Sequence, residues 1–257
     1  MVLSTDIDLV GSSSESRMLH ASSTSAVDAE AKRRALAQMP VPIPATVVRT
    51  YLSEFEEDSL RRLLTRFAGD DVVDGWSKGP ESNGIQVLHG AVEGSSWHTM
   101  CTTGKVRVTA DKAARLLVSA EMVPKFDDMT KEVRVVEKLS DATEVRVVSC
   151  KSVMFTSARD FVVATTVRRE ADGRILIATR SVDHPAGKRA GYTRALSYIS
   201  GYVVTPDPVD PNACVVSVIA HMDLGGNMPA MVINYLGLSA PIKLVEKIRD
   251  VAVKAKI

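Results

Sequence analysis

The chain has 257 residues, 45% of them apolar, which is enough for one large folded domain or two small ones. Its formal net charge of +1 excludes strong nonspecific attraction to nucleic acid, so we expect no nucleic-acid partner. No apolar run reaches the roughly 18–20 residues that a membrane-spanning helix requires. The N-terminus has no basic segment and carries Asp6 and Asp8, so we expect a cytoplasmic protein without a secretory signal. The three cysteines are widely spaced, which favours reduced thiols over a disulfide framework.

The first 44 residues differ in composition from the rest of the chain. Serine dominates Gly11–Ser25, and three prolines follow before residue 45. Such a composition buries too little apolar surface to offset the entropy that is lost on ordering. We therefore predict a disordered Ser/Pro-rich tail over residues 1–44 and one folded domain over residues 45–257. The serines leave a second interpretation open, which is a phosphorylated or targeting tail.

Two stretches near the start of the domain are predicted to be helical. Apolar residues recur at helical spacing over Thr46–Phe67, where Asp58 or Ser59 is suited to cap a second helical segment. Farther along, Asp111 is expected to cap a helix over Lys112–Ser119.

Most of the remaining chain alternates short β-branched or aromatic runs with glycine-containing turns, which predicts strands. We expect nine of them: Ile85–Ala91, Ser96–Thr102, Gly104–Thr109, Lys131–Lys138, Thr143–Ser149, Phe161–Val167, Arg174–Val182, one within Gly191–Val204, and Ala213–Asp223. No strand–helix–strand alternation occurs, so the sheet should be antiparallel. We also expect the sheet to curve around a helix and to leave a space that side chains alone do not fill.

The end of the chain is predicted to be a long helix. Apolar residues recur at helical spacing from Met228 to Ala252, with charged residues on the other face. Pro241 is expected to kink or divide this helix, because it removes one backbone donor. Taken alone, the apolar stripe favours ordinary core packing.

Several strings in the second half of the chain resemble the START (StAR-related lipid-transfer) domain family by their order and spacing. They are Arg159-Asp160-Phe161, Ala171-Asp172-Gly173-Arg174, Arg180-Ser181-Val182-Asp183-His184-Pro185 and Tyr198-Ile199-Ser200-Gly201-Tyr202. The likeness covers about residues 48–254. It implies an α+β helix-grip (START/Bet v 1-like) fold. In that fold a curved antiparallel sheet of about nine strands lies under a long C-terminal lid helix, over an internal apolar cavity.

The resemblance also implies a function. We expect noncovalent binding and intermembrane transfer of a single lipid, of the phospholipid or sterol class, by a monomer that contacts membranes transiently. The lid helix would contribute Met228, Met231, Val232, Tyr235 and Leu236 to the ligand tunnel, and a neighbouring gate loop would contribute Val153, Met154 and Phe155. Shielding a lipid is favourable because each methylene removed from water contributes about 0.8 kcal/mol.

The residues that would read the lipid head group are less clearly marked. Sterol-binding family members often carry an acidic residue before the gate loop and an arginine on the following strand. In this chain those positions hold Arg146 and Thr165, so the usual pair is absent and a sterol assignment is weakened. We include both residues in the expected ligand site, together with Tyr198 and His221.

Catalytic signatures are missing from the sequence. It contains no GxSxG nucleophile elbow, no P-loop and no GxGxxG, and His98 with Cys101 is its only metal-like spacing. We therefore expect no enzyme activity, no catalytic residues, no metal and no cofactor. Two other classes stay open at this point: a lipid-gated adaptor or sensor, and a cavity enzyme of the cyclase or hydrolase type.

Overall fold

The computed structural model describes residues 30–32, 34–36, 38–152, 156–187, 190–226, 237 and 239–255. The described residues divide into two units, one that ends at residue 39 and one that begins at residue 40. In the first unit the described residues between 30 and 38 are helical. The second unit holds all of the strands named below, and the first of them, a short strand at residues 43–44, contains the fully buried Ile43.

One mixed sheet organises this unit. Its strands are β1 (Ile43–Pro44), β2 (Val73–Ser82), β3 (Ile85–Ala91), β4 (Thr99–Val106), β5 (Thr130–Lys138), β6 (Thr143–Cys150), β7 (Arg159–Arg169), β8 (Ile175–Asp183), β9 (Thr193–Arg194), β10 (Leu196–Pro206) and β11 (Cys214–Asp223). The main path runs β2-β3-β4-β11-β10-β8-β7-β6-β5, and every neighbouring pair on it is antiparallel. The short strands β1 and β9 pair in parallel with β8 and β7. The sheet is therefore open, with β2 and β5 at its edges, and nine strands form its main path as predicted.

Five α-helices accompany the sheet in the described part of the second unit: α1 (Ala45–Thr50), α2 (Leu52–Ala68), α3 (Ala110–Val118), α4 (Val123–Phe126) and α5 (Ala240–Lys254). Helix α2 ends at Gly69, whose φ of 88° lets its N–H reach back to the carbonyls of Thr65 and Arg66. The Thr109 side chain caps α3 by accepting a hydrogen bond from the Lys112 N–H at 3.3 Å. Pro241 lies in the first turn of α5, where a missing N–H has no cost.

The helices lie on opposite faces of the sheet, which we name after α2 and α5. On the α2 face, Leu60 and Leu63 pack with buried residues of the central strands, namely Leu176, Ala178, Ile199, Val203 and Ile219. On the α5 face, side chains from α3, α4 and α5 pack with the alternate residues of the same strands; these are Leu116, Phe126 and Ile248 with Ile177, Val204 and Val216. Because side chains alternate along a strand, each strand residue can be assigned to one face.

Several local predictions were wrong. Asp58 and Ser59 do not cap a helix but lie inside α2, fully buried, because their partner Arg180 lies far away in sequence. Strand β2 was missed, because it is an exposed edge strand without apolar alternation. The two strands predicted between residues 96 and 109 are one strand, β4. Gly104 does not interrupt β4; it lets α5 approach, since a Cβ there would lie 2.7 Å from Val245 Cγ1. Thr109 rather than Asp111 caps α3.

Candidate functional site

A row of polar side chains crosses four neighbouring strands on the α5 face. In register, Glu144 of β6 lies beside Thr165 of β7, Thr165 beside Thr179 of β8, and Thr179 beside Ser200 of β10. We call these four residues the polar row. The hydroxyls of Thr165 and Thr179 are 3.2 Å apart, and Thr165 is only 4% exposed. Polar side chains in the interior of a sheet require partners, and the hydroxyls of Thr165 and Thr179 serve as partners for each other. Because the four side chains share one face, this row is a candidate contact for the polar atoms of a ligand.

Arg146 is the charged group of this site. It lies on β6 two residues from Glu144, and its side chain is 7% exposed. Its Nε donates to Glu144 Oε1 at 2.5 Å, and its Nη2 donates to the carbonyl of Val118, the last residue of α3, at 2.6 Å. A cation at a helix C-terminus is favourable because it meets the negative end of the helix dipole. Its Nη1 makes no hydrogen bond within the described residues, so the two N–H groups of Nη1 are available to a ligand.

An apolar cluster adjoins the polar groups on the same face. Phe161, Val163 and Ala195 are buried, and four partly buried apolar residues pack against them: Val148, Cys150, Met222 and Leu224. Val163 is the register partner of Arg146, so the apolar cluster begins directly beside the arginine. Burial raises the pKa of the Cys150 thiol to about 12, which keeps this cysteine protonated and unreactive. The α5 face therefore combines a few polar groups with a cluster of apolar side chains.

The chain segments at this end of the sheet meet at the first two residues of β7. Arg159 donates from Nε to the Leu224 carbonyl at 3.3 Å and from Nη1 to the Ser157 carbonyl. Asp160 is 1% exposed and accepts from Arg194 Nε at 2.9 Å and Nη2 at 3.0 Å. The two residues thus join the segment before β7, strand β9 and the segment after β11.

The gate loop and the lid helix that the sequence predicts are the remaining parts of the expected ligand site. Val153, Met154 and Phe155 lie outside the described residues, and so do all five residues expected from the lid helix, namely Met228, Met231, Val232, Tyr235 and Leu236. Their roles in the ligand site stay predictions.

The four remaining predicted site residues do not form one group. Arg146 and Thr165 lie together on the α5 face. His221 lies on the α2 face, because it is in register with Ile199 and two residues from Ile219. The ring of Tyr198 lies against His221, with the ring centroids 4.7 Å apart. The sheet therefore separates His221 and Tyr198 from Arg146 and Thr165.

His221 forms the strongest candidate for a catalytic pair, because its Nε2 is 3.0 Å from the hydroxyl oxygen of Ser95. No described residue forms a hydrogen bond with its buried Nδ1, so no carboxylate orients the ring as a catalytic triad requires. Burial, assisted by the charge of Arg66, lowers the pKa of His221 to about 4, so the ring is neutral near pH 7 and a weak base. We interpret the pair as structural.

Sequence reasoning missed Glu144, Thr179 and Ser200. The hairpin signal at Ala171-Asp172-Gly173 fixes which residues of β7 and β8 face each other, so the Thr165–Thr179 pair could have been found from the alternation around that turn. The neighbours on β6 and β10 depend on longer connections that sequence does not specify.

The described residues contain no group of three or more His, Cys, Asp or Glu side chains placed to hold a metal ion. None of the helices in this part of the chain is long and apolar enough to cross a membrane.

Comparison with known proteins identifies the family. The START domain model matches residues 56–251, well over half of the chain, and the chain therefore belongs to the START domain family. Steroidogenic acute regulatory-like protein 1 of Caenorhabditis elegans is 37% identical over 84 residues, 32% of this chain and 32% of that protein. The mitochondrial steroidogenic acute regulatory protein of Danio rerio is 25% identical over 183 residues, 69% of this chain and 63% of that protein. The chain thus spans about a third of the first relative and under two thirds of the second.

A solved structure shows the same fold. Human StAR-related lipid transfer protein 5 superimposes with a TM-score of 0.72 at 22% sequence identity, covering 80% of this chain and 98% of that protein. The open antiparallel sheet with its C-terminal helix is the helix-grip fold that the sequence predicted.

Proposed function

We propose that this protein binds one lipid molecule noncovalently on the α5 face and transfers it between membranes. The observation that carries the proposal is the position of Arg146 and the polar row directly beside the apolar cluster of Phe161 and Val163. A lipid has the same division into a small polar group and a large apolar body. The names of the human and worm relatives, which are a lipid transfer protein and a regulatory-like protein of steroid formation, agree with a lipid as ligand.

The ligand belongs to the phospholipid or sterol class in this proposal. Arg146 Nη1 carries donors only, so it requires an acceptor such as a hydroxyl, ester carbonyl or phosphate oxygen. Glu144 already neutralises the guanidinium, so a ligand with little net charge at this point fits as well as an anionic one. Leaving such donors unbonded away from water costs about 1–3 kcal/mol, which favours ligands that supply the acceptor.

The ligand site retains Arg146 and Thr165 and gains Glu144, Thr179 and Ser200. It leaves out Tyr198 and His221, because their contacts lie on the α2 face. Val153–Phe155 as a gate, and the lid residues between Met228 and Leu236, stay part of the proposal through the family resemblance. We further propose that the protein acts as a monomer in the cytoplasm, without a catalytic step, and meets donor and acceptor membranes transiently.

Native mass spectrometry of the full chain, combined with lipid extraction, tests this function. We expect one lipid per chain after purification from a eukaryotic host, and replacement of that lipid after incubation with vesicles of mixed lipids. A chain that is purified empty and takes up no lipid from the mixed vesicles contradicts the proposal.

A further inference from the structure

A cleft with several cationic side chains lies at the end of the sheet opposite Arg159. Its lining comes from the end of β4 with Lys105 and Arg107, and from the last turns of α5 with Arg249, Val253 and Lys254. We call it the distal cleft. Strand β4 ends beside the first residue of β11, since Val106 is in register with Cys214, whereas the contacts of Arg159 are at the other end of β11, with Leu224.

Arg249, in the lining of the distal cleft, is held in place by three hydrogen bonds. Its Nε donates to the Lys105 carbonyl at 2.8 Å, Nη1 to the Asn83 carbonyl at 2.8 Å and Nη2 to the Gly84 carbonyl at 3.3 Å. All three acceptors are neutral, so these bonds fix the guanidinium without neutralising its charge. A guanidinium has five N–H donors, and two of them remain for an anion.

The other charged groups of the cleft leave it positive. Lys105 is paired with Asp207 at 2.7 Å, whereas Arg107 and Lys254 are exposed and form no ion pair within the described residues. Three uncompensated cations therefore face one carboxylate of the lining, that of Asp250. Such a surface attracts anions over roughly a Debye length, about 8–10 Å at physiological salt.

Exposed apolar side chains accompany these cations. Among the described residues, Val253 on α5 is 61% exposed, and Val209 in the turn between β10 and β11 is 88% exposed. Asp207 fixes this turn, because Oδ1 accepts the N–H groups of Val209 and Asp210, both at 2.9 Å, while Oδ2 pairs with Lys105. These three hydrogen bonds lower the pKa of Asp207 to about 2, so the carboxylate stays ionised and the turn stays closed. Val209 is therefore presented on a rigid turn next to the cleft.

From this combination we propose that the distal cleft and Val209 form a docking site for an anionic membrane surface. Cations bind lipid phosphates, and small exposed aliphatic side chains enter the interface between head groups and acyl chains. A soluble anion would be bound by the cations alone and would gain nothing from the two valines. The site lies at the opposite end of the sheet from the Arg159 junction, so it holds a membrane without covering that end. This inference does not depend on the proposed lipid transfer.

The test is binding of the full chain to vesicles of phosphatidylcholine alone or with phosphatidylserine added, measured by co-sedimentation. The double variant R107Q/K254Q removes two cations that contribute about 1 kcal/mol each near an anionic surface, so we expect roughly 30-fold weaker binding to the anionic vesicles. The matched control K78Q/R134Q removes two exposed cations from the edge strands β2 and β5 and should change binding by less than about 3-fold.

A third variant, V209S/V253S, keeps every charge and removes the apolar contacts. We expect weaker binding to anionic vesicles and a stronger dependence of the remaining binding on salt. The proposal is overturned if wild type binds neutral and anionic vesicles equally or binds neither. It is also overturned if the control weakens binding as much as R107Q/K254Q, or if V209S/V253S binds like wild type. All substituted residues are exposed, and thermal unfolding of each variant checks that the fold is kept.

Discussion

Each face of the sheet buries an arginine that pairs with a carboxylate, and the two pairs differ in how accessible the carboxylate is to solvent. On the α2 face, Arg180 is 1% exposed and donates to Asp58, which is fully buried, at 2.8 Å. Asp58 also accepts from Arg61 and Arg62, and the Arg180 guanidinium lies 5.3 Å from the centre of the Phe55 ring. On the α5 face, Arg146 is 6% exposed, but its partner Glu144 keeps 29% of its side chain accessible.

This difference is the one expected between a structural site and the proposed lipid-binding site. A buried ion pair that is enclosed by its own helix stabilises one packing arrangement, and nothing can replace its partners without unfolding. An arginine with one accessible partner and unused donors can exchange partners while the fold persists. We therefore expect substitutions on the α2 face to change stability, and substitutions on the α5 face to change lipid binding.

The largest effect is expected for Asp58→Ala, which leaves the Arg180 guanidinium buried without a carboxylate. Removing one partner of a buried pair costs about 3–5 kcal/mol of unfolding free energy, measurable by urea denaturation. As a control, Arg61→Ala removes a partner that is 55% exposed and should cost at most about 1 kcal/mol. Equal effects of the two variants would mean that the Asp58–Arg180 pair does not hold α2 on the sheet.

A somewhat smaller effect is expected from His221 on the same face, which should make the unfolding free energy depend on pH. Its pKa is lowered by burial and by the charge of Arg66 to about 4, while the unfolded chain titrates near 6.5. The unfolded chain therefore binds a proton that the folded chain does not, and stability is full above about pH 6.5 and falls towards pH 4. The loss amounts to about 3 kcal/mol, since one pKa unit corresponds to 1.36 kcal/mol.

Urea midpoints measured between pH 4 and pH 7 check this expectation. His221→Leu should flatten the dependence, while His98→Gln, an exposed histidine, should leave it unchanged. A wild-type curve that is flat over this window would show that His221 is protonated freely in the folded protein.

On the α5 face, Arg146→Met should show the opposite pattern to Asp58→Ala. Methionine keeps the apolar part of the side chain, and Glu144 remains accessible to water, so we expect a stability loss of no more than about 1–2 kcal/mol. Lipid binding should fall roughly 10-fold or more, because a hydrogen bond from a charged group contributes about 1.5–3 kcal/mol. Lipid transfer between donor and acceptor vesicles measures this loss. Unaltered transfer together with strong destabilisation would make Arg146 a structural residue like Arg180.

The smallest and most local effect is expected for Arg159→Gln. It removes the hydrogen bonds to the carbonyls of Ser157 and Leu224, and local opening should become easier by about 1 kcal/mol for each lost bond. Hydrogen exchange of residues 156–158 and 224–226 should accelerate roughly 5-fold, while β3 and β4, at the other side of the sheet, should be unaffected. Uniform acceleration across the sheet would indicate global destabilisation instead of a local junction.

The sequence predicted much of the architecture, because local patterns specify single elements. Alternation and turn residues located the hairpin of β7 and β8 and the last strand, and helical spacing located α2 and α5. Predictions failed where a residue far away in sequence determines the role of the residue in question. Asp58 has the chemistry of a helix cap, but Arg180, 122 positions away, makes it a buried ion-pair partner in the middle of α2. Gly104 has the chemistry of a strand break, but it serves the approach of α5.

The residues of the candidate site, too, were predicted only where the answer did not depend on contacts between distant parts of the chain. Arg146 and Thr165 were found through family resemblance, and the structure places both on the α5 face. Glu144, Thr179 and Ser200 became visible only with the register of four strands, because neighbours in a row across a sheet are here 14 to 21 positions apart in the chain. His221 was predicted for the same site because strand alternation defines two faces without showing which residues of different strands share one; the structure places it on the α2 face.

Photo-crosslinking with a lipid that carries a photoreactive group in its apolar part tests the central claim most directly. The full chain is loaded with the probe from vesicles, irradiated and digested, and the adducts are located by mass spectrometry. We predict adducts on the apolar cluster of the α5 face, at Val148, Phe161, Val163 or Met222, and competition by unlabelled lipid. Adducts on Leu60, Leu63 or Ile219 of the α2 face, or only on exposed residues, would contradict the account.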